Sequence, residues 1–381
     1  MPINYTEEHE MLRNMVREFT DSEIRPLASK IDEQEYIPKE LITKIAGIGL
    51  LGTPFPEKYG GGGFGELGFC IAQEEVTKAC ASTAAFIGAH ISIGTNAIYI
   101  GGSEELKMKY LPSLTSGEKI AAFSLTEAGA GSDSFNLKTE AKFTGSKWIL
   151  NGEKLWVTNG AIADVFSVFA RTEKGITGFV VEKEFKGVSV GPNEKKLGIR
   201  GSVTNSLNFD NVEIPEENII GAEGRGFLIA MKTLDAGRLG IGAGSVGAAK
   251  EMIRLSVEYA TQRKQFDQQI AKFQGIQFMI SDMTTRTYAM ESMLQRVAEK
   301  YDLGLDISEE AAIVKLFCSE NVSVVADTAL QIHGGMGFSR DLPIERYYRD
   351  ARILRIFEGT SEIQKLIISR KTLKKKGKWD F

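Results

Sequence analysis

The sequence predicts an α+β protein, mostly α, in which a helical domain, a β domain and a second helical domain follow one another. Apolar residues recur at helical spacings of three and four in the first and last thirds of the chain. Between them, short β-branched and aromatic runs are separated by turn residues. A length of 381 residues suits two or three domains. We place the domains at 1–119 (N-terminal α-helical), 120–228 (middle β) and 229–381 (C-terminal helical bundle).

The N-terminal domain is predicted from amphipathic stripes that end in turn signals. The first stripe consists of Met11, Leu12, Met15, Val16 and Phe19. The pattern returns in "PKELITKIAGIGLLG" and stops in "TPFPEKYGGGGFGE", where glycine and proline favour a loop. Two further apolar segments and the helix "SEELKMKYLPSL" complete this part.

The middle domain is predicted from short strands. In "KWILNGEKLWVTNG", the dipeptide Asn151-Gly152 lies between β-rich runs and predicts a hairpin turn. Runs such as "DVFSVFAR" and "ITGFVVE" supply further strands.

The C-terminal third contains long amphipathic segments joined by short loops, which predict a helical bundle. Its "GAGSVG" segment, residues 242–247, matches the G-x-G-x-x-G pattern of dinucleotide-binding turns. The residues before it read as helix rather than strand, so that interpretation is disfavoured. Small residues that let two helices pack closely are the better interpretation.

Charge and hydropathy exclude several classes. The net charge is -4, and the one basic run is the tail "KTLKKKGK", interpreted as a solvated helix end, so no nucleic-acid partner is expected. The acidic start "MPINYTEEHE" does not resemble a secretory or transit peptide. No uninterrupted apolar run approaches the roughly 18 residues of a membrane span, so none is expected.

Cysteine and histidine usage narrows the chemistry further. Three cysteines without a CxxC pair fit reduced thiols, and we expect a cytoplasmic protein. Three histidines, none with a second at metal-ligand spacing, make a metal site unexpected. A G-x-S-x-G nucleophile motif is also missing from the sequence, which disfavours an α/β-hydrolase.

Three segments could hold a ligand. The turn in "AFSLTEAGAGSD" can offer backbone N–H groups to a polar or anionic ligand, or it can be an ordinary loop. In "KLWVTNG", Trp156 and Thr158 share one strand face, which suits a flat heterocycle, although a core Trp is the commoner case. Gly334-Gly335 could end a helix or let a phosphate approach the backbone.

A single glutamate stands out in "RIFEGTSEIQ". Glu358 lies between a phenylalanine and a glycine, just before a predicted helix. An acid there could simply suit the helix dipole. It could also be a general base held in a partly dry pocket.

Six motifs, in this order, resemble the acyl-CoA dehydrogenase family over essentially the whole chain: "TEAGAGSD", "LWVTNG", "LDAGR", "QRKQF", "QIHGGMG" and "FEGTSEIQ". The resemblance implies an N-terminal helical domain, a middle β domain and a C-terminal four-helix bundle. It also implies bound FAD and a homotetramer, or in some members a dimer.

The resemblance implies roles for individual residues. Those implied to bind FAD are Phe123, Leu125, Thr126, Ser132, Trp156, Thr158, Arg263, Phe266, Gln274, Gln331, Gly334, Gly335, Thr360 and Glu362. Those implied to contact the acyl-CoA are Ser132, Asp235, Arg238 and Gly359. The contacts to the FAD phosphates and ribose, from Arg263, Gln274 and the run 331–335, are implied to cross a subunit interface.

The implied reaction is α,β-dehydrogenation of an acyl-CoA thioester to the 2-enoyl-CoA. Glu358 is implied to take the α-proton while the β-hydride passes to N5 of FAD, and an electron-transfer flavoprotein is the implied electron acceptor. Some members carry the base at the position of Gly237, which has no side chain. Burial of Glu358 would raise its pKa and make it a stronger base.

The sequence departs from the family pattern at three positions, and other functions stay open. Ala128 replaces a common proline, Asp267 a glycine and Phe357 a frequent tyrosine; none removes a reacting group. An acyl-CoA oxidase that uses O₂ and a non-catalytic FAD- or acyl-CoA-binding scaffold are the alternatives. "LDAGRLGI" is similar to short-chain members and "GAHISIG" to long-chain ones, and a branched or cyclic acyl group is also open.

Overall fold

The computed structural model describes residues 6–375, and seven α-helices precede the first strand in this range. Met1–Tyr5, in the predicted acidic start, and residues 376–381, in the basic tail, lie outside the described residues. The seven helices are α1 (Glu7–Phe19), α2 (Ala28–Gln34), α3 (Lys39–Gly47), α4 (Gly65–Thr77), α5 (Ala81–Gly88), α6 (Asn96–Gly101) and α7 (Glu104–Thr115).

The middle of the chain forms one twisted sheet. Its strands are β1 (Ala121–Ser124), β2 (Glu140–Phe143), β3 (Lys147–Thr158), β4 (Val165–Thr172), β5 (Gly175–Glu182), β6 (Val188–Val190), β7 (Thr204–Pro215) and β8 (Ile219–Ile220). The strand order is β6-β7-β3-β2-β4-β5-β8, and β1 pairs in parallel with β4. The long β3–β7 pair is antiparallel and carries two register shifts.

The helical pattern returns at Gly226, and a two-stranded hairpin interrupts it. The helices are α8 (Gly226–Gln262), α9 (Gln274–Asp302), α10 (Ser308–His333), α11 (Gly335–Phe338), α12 (Ile344–Ala351) and α13 (Ser361–Lys375); the hairpin is β9 (Lys264–Gln265) with β10 (Gln268–Gln269). Helices α8, α9 and α10 pack against one another, and α13 packs on α10. This architecture confirms the predicted fold class.

The predicted hairpin turn at Asn151-Gly152 is wrong. Both residues lie inside β3, where the pairing with β7 shifts register because β7 carries one extra residue at Asp210-Asn211, so the dipeptide lies opposite a bulge. The Asn151 side chain accepts a hydrogen bond from the Asn211 N–H at 2.8 Å, which satisfies the bulged backbone. The turn between β2 and β3 lies instead at Gly145, with φ of 91°. Pairing with both neighbouring strands overrides the local turn preference.

The segment Ala81–Gly101 is long and apolar enough to cross a membrane by length and composition alone. The sequence predicts residues 83–101 as an apolar segment but not as a membrane span, because a histidine and several small polar residues interrupt it. In the structure it comprises α5, a π-helical stretch (Ala89–Thr95) and α6, and 67% of its most apolar window is buried. This burial is that of a helix in a protein core.

Helix α4 joins the two main apolar cores. Every residue from Glu66 to Thr77 is buried. Phe69 and Val76 pack with the N-terminal helices and the sheet, whereas Leu67 and Ile71 pack with the bundle. Helix α8 approaches α4 closely: a Cβ at Gly247 would lie 2.1 Å from the Glu74 carbonyl oxygen. The small residues of "GAGSVG" therefore serve helix packing.

The start of α4 is capped by a residue from another helix. Its own N-cap residue, Phe64, provides no side-chain hydrogen bond. The Asp302 carboxylate, at the end of α9, accepts from the N–H groups of Glu66 at 2.6 Å and Leu67 at 3.0 Å. A Cβ at Gly65 would lie 2.6 Å from this carboxylate, so the cap also needs glycine there.

Asp302→Ala should lower the free energy of unfolding by about 1–3 kcal/mol, because two amide donors in a buried helix start lose their acceptor. Asp302→Asn keeps one acceptor oxygen and should lose less. Chemical denaturation measures both, with Asp282→Ala at an exposed position of the same helix as the control. An Asp302→Ala protein as stable as that control would contradict the capping role.

Candidate active site

Glu358 lies in a tight turn between the 3₁₀ turn Arg352–Arg355 and α13. It has a φ of 52° and Gly359 a φ of 96°, so two successive residues are left-handed. This conformation is unfavourable for glutamate and is held by its surroundings. The Gln364 Nε2 donates to the carbonyl oxygens of Glu358 at 3.2 Å and Gly359 at 2.9 Å, and the Lys315 Nζ donates to the latter at 2.6 Å.

The Glu358 carboxylate occupies space that a side chain at position 237 would fill. A Cβ at Gly237 would lie 2.1 Å from Glu358 Oε2 and 2.9 Å from the Ile93 Cγ2. Oε2 has almost no solvent contact and no hydrogen-bond partner among the described residues. The carboxylate is therefore buried against α8 with an unused acceptor oxygen.

Burial raises the pKa of Glu358 to about 7, against the opposing effect of Arg238 and Lys315. Arg238 is itself 3% exposed and donates to Asp235 Oδ1 at 2.7 Å. The predicted acyl-CoA contacts Asp235 and Arg238 thus form a buried ion pair near Glu358, and burial raises the pKa of Asp235. A carboxyl group that titrates near neutral pH can accept a proton and release it again at physiological pH.

The loop predicted from "TEAGAGSD" is held by a buried lysine. The Lys154 Nζ, on β3, donates to the Leu125 carbonyl at 2.9 Å and to Glu127 Oε1 at 2.8 Å. The Glu127 carboxylate also accepts from the N–H groups of Lys138 and Thr139. Thr126 is joined to β3 through the Leu155 N–H at 2.8 Å. These contacts fix the loop beside the strand that carries Trp156.

Trp156 and Thr158 lie on either side of the buried Val157, where β3 shifts register against β7. Trp156 has a φ of 58° and is 60% exposed, so its ring is not a core side chain. Phe123 is half-buried against Phe169, with ring centroids 5.1 Å apart, and Ser132 is exposed at the end of the loop. The structure thus brings Leu125 and Thr126 beside Trp156.

A second group of predicted residues lies at one end of the bundle. This bundle-end set comprises Arg263, Phe266, Gln274, Gln331, Gly334 and Gly335. Short connections make successive helices of the bundle antiparallel. The same end of the bundle therefore holds the end of α8, the start of α9 and the end of α10. The rings of Tyr259 and His333 stack at 4.6 Å and link α8 to α10 at that end.

The bundle-end set is open to solvent in a single chain. Phe266 is 88% exposed, and a Cβ on Gly334 or Gly335 would meet no atom within 4 Å. Thr360 and Glu362, in contrast, lie at the start of α13 beside Glu358. The predicted cofactor residues therefore lie in three places: on the sheet, beside Glu358 and at the bundle end.

Three side chains in the site were missed by sequence reasoning: Lys154, Lys315 and Gln364. All three are fully buried and bind the backbone of a segment that carries predicted site residues. Lys315 is the most informative, because it stands in the apolar run "AAIVKLFC" of α10. A lysine within such a run was a signal that could have been used.

Models of the acyl-CoA dehydrogenase N-terminal, middle and C-terminal domains match residues 6–118, 122–212 and 224–373 of this chain. The short-chain specific acyl-CoA dehydrogenase of Clostridium acetobutylicum is 44% identical over 376 residues, which are 97% of this chain and 99% of that protein.

Solved structures agree with the sequence matches. Butyryl-CoA dehydrogenase from Megasphaera elsdenii is similar with a TM-score of 0.96 and 37% identity, covering 98% of this chain and 100% of that chain. A chain from work on the electron transferring flavoprotein of Acidaminococcus fermentans has a TM-score of 0.96 and 39% identity, with the same coverage. An acyl-CoA dehydrogenase complexed with FAD from Bacillus anthracis has a TM-score of 0.94 and 38% identity, covering 99% of this chain and 69% of that chain. With three domain models in order and relatives matched along nearly their whole length, this chain belongs to the acyl-CoA dehydrogenase family of oxidoreductases.

Proposed function

We propose that this protein removes an α-proton and a β-hydride from a short-chain acyl-CoA, with Glu358 as the catalytic base. The observation that carries the proposal is the Glu358 carboxylate, buried with an unpaired Oε2. A general base needs a free acceptor oxygen and a pKa near the working pH. The short-chain relative and the similarity to butyryl-CoA dehydrogenase support the chain length.

FAD is the cofactor of this enzyme. The residues on the sheet fit its flavin ring, and the bundle-end set fits its diphosphate. The exposed ring of Trp156 beside Thr158 offers a flat surface and a hydroxyl for a heterocycle. Arg263, two glutamine amides and the open glycines 334 and 335 offer donors and backbone access for a diphosphate. FAD, when bound, supplies the acceptor for the hydride. The complex of the Bacillus anthracis relative with FAD supports this assignment.

The chain itself handles the proton. Glu358 takes the α-proton through Oε2, and its carboxyl becomes neutral in a site where burial favours the neutral form. The Glu358 N–H donates no hydrogen bond within the described residues. The carbonyl oxygens of Glu358 and Gly359, in contrast, accept from Gln364 and Lys315. That N–H is free to donate to the thioester oxygen as negative charge develops there.

The electron acceptor we propose is an electron-transfer flavoprotein. The similarity to a chain studied with the electron transferring flavoprotein of Acidaminococcus fermentans supports it. An acyl-CoA oxidase would reoxidise rapidly with O₂ after reduction by substrate. Slow reoxidation in air, together with fast reoxidation by an added electron-transfer flavoprotein, separates the two functions.

We further propose that the active protein is an oligomer, a homotetramer or a dimer. The bundle-end set presents donors and the exposed Phe266 to solvent, away from the sheet residues in sequence. A neighbouring copy would bring its bundle end to this chain's FAD, as the family resemblance implies. The domain boundaries 1–119, 120–228 and 229–381 and a cytoplasmic location remain predictions.

Glu358→Gln should leave FAD content and acyl-CoA binding near those of the parent, because the amide keeps the size and the backbone N–H. Flavin reduction on anaerobic mixing with butyryl-CoA should slow by about 10²-fold or more, since general-base catalysis is worth roughly that much. Stopped-flow absorbance at the flavin band measures the rate. Reduction within a few-fold of the parent rate would place the base elsewhere.

The rate should depend on pH through Glu358. Only the ionised carboxylate accepts a proton, and its pKa is raised to about 7, so kcat/KM should rise as pH increases through about 7 and then level off. Steady-state rates with butyryl-CoA across this range give the profile. A profile that is already level at about pH 5 would mean that the base has the pKa of an ordinary glutamate.

Gly237→Ala should reduce turnover by at least about tenfold while changing stability little. The new Cβ would overlap Oε2 and displace a flexible side chain rather than backbone. Gly244→Ala, two turns along α8, is the matched control, because its Cβ would first meet the Thr77 Oγ1 at 3.3 Å. Equal turnover in the two variants, measured at matched FAD content, would show that the carboxylate does not depend on this space.

A further inference from the structure

A lysine without an ion-pair partner lies directly beneath the catalytic turn. Lys315 is 0% exposed, in the N-terminal half of α10. Its Nζ donates to the Gly359 carbonyl oxygen at 2.6 Å, and no carboxylate forms an ion pair with it among residues 6–375. Burying an ammonium group without a carboxylate is costly, so a merely structural lysine would be a poor choice here.

The carbonyl that Lys315 binds belongs to the left-handed turn that carries Glu358. Glu358 and Gly359 are both left-handed, and the turn returns to helix only at Ser361. Gln364 approaches the same carbonyl from α13 at 2.9 Å, so one oxygen accepts from two buried side chains on different helices. These two contacts fix the Gly359–Thr360 peptide, and Gln364 also donates to the Glu358 carbonyl at 3.2 Å, so the turn that carries the Glu358 side chain is held on both of its peptides.

We propose that Lys315 is a positioning residue for the dehydrogenation, which fixes the turn that presents Glu358 to the α-carbon and contributes positive charge that favours the ionised form of its carboxylate. The proposal rests on the role of Glu358 proposed above. It assigns a function in catalysis to a residue of α10, which lies 44 positions before Gly359, the residue whose carbonyl it binds.

Three charged or titratable groups face Glu358 from the helices around it. They are Arg238 on α8, Lys315 on α10 and Glu66 on α4. Glu66 is buried, and its pKa is raised well above the ordinary value, by burial first and then by Asp302 and Glu358. Arg238 already pairs with Asp235. Lys315 forms no ion pair among residues 6–375, and Glu320 on α10 and Glu362 on α13 are the further carboxylates that act on its charge from a greater distance.

Removing the positive charge of Lys315 should change the pKa of Glu358 in one direction only. Lys315 lowers the pKa of Glu358, so its loss raises that pKa and the carboxylate ionises only at higher pH. The pKa of Lys315 is itself lowered to about 8 by burial, so in the parent the charge is present at neutral pH and fades in mildly alkaline solution. Because Lys315 is close to Glu358, the two titrations are linked.

The test is the pH dependence of flavin reduction by butyryl-CoA in Lys315→Met, which keeps an unbranched side chain but loses the donor and the charge. We expect the apparent pKa to move upward by about one unit, as for loss of one nearby opposite charge. We also expect the limiting rate at high pH to fall by about tenfold, because the turn is less well held. FAD content and the dissociation constant for butyryl-CoA should stay within about twofold of the parent.

Two further variants separate the effect of the Lys315 charge from that of its hydrogen bond, and one of them replaces Lys315→Met if that protein does not fold. Lys315→Gln removes the charge and keeps a donor, so it should show the pKa shift with a smaller loss of limiting rate, and it replaces Lys315→Met if the latter does not fold. Lys315→Arg keeps the charge and should keep the parent pKa. Lys300→Met, a partly exposed lysine on α9, is the control and should behave like the parent.

The outcomes distinguish this proposal from the one it rests on. If both uncharged variants show the parent pKa and a limiting rate within about twofold, Lys315 is structural and the proposal is overturned. Loss of FAD content or stability without a shift in the profile also overturns it. If Glu358→Gln reduces the flavin at the parent rate, the assignment of Glu358 fails first, whatever the Lys315 variants do.

Discussion

The close approach of α8 to its neighbours is the constraint on which both the fold and the site depend. At Gly247 the helix touches the backbone of α4, and at Gly237 it leaves the space that the Glu358 carboxylate occupies. Gly240, between them, faces the Phe69 ring, which a Cβ would approach to 2.9 Å. Glycine inside a helix weakens it by about 1 kcal/mol relative to alanine. The packing of α4 and of the Glu358 carboxyl group against the same helix offsets that loss.

The Glu358 carboxyl group is buried but not fully hydrogen-bonded, and this combination determines its pKa. A carboxylate that accepted several hydrogen bonds would have a low pKa and would be a weak base. Glu358 instead has cations near it but no donor on Oε2, so burial dominates. A buried acid elsewhere in the protein is paired with two cations: Glu74 binds Arg13 and Lys250, and its pKa is lowered. Glu74 and Glu358 therefore differ in pairing: both are buried acids, but Glu358 keeps an unused acceptor oxygen.

The order of helical and β segments was predictable because apolar periodicity is a local property, and the fold class followed from it. The glutamate in "RIFEGTSEIQ" also stood out, since an acid between a phenylalanine and a glycine is visible in the sequence. Asn151-Gly152 misled because two long strand pairings decide its conformation. Lys315 and Lys154 were missed because their partners are distant carbonyl groups, and a backbone carbonyl has no signature in the sequence.

The complete burial of α4 has a consequence for the order in which the chain folds. One side of this helix belongs to a core completed by the sheet, and the other to a core completed by helices from the last third of the chain. Its first turn is capped by Asp302, more than two hundred residues later. On the ribosome, α4 therefore emerges long before the surfaces that cover it. Until synthesis is nearly finished, this segment exposes apolar side chains on both faces, which makes the nascent chain a substrate for chaperones that bind such surfaces.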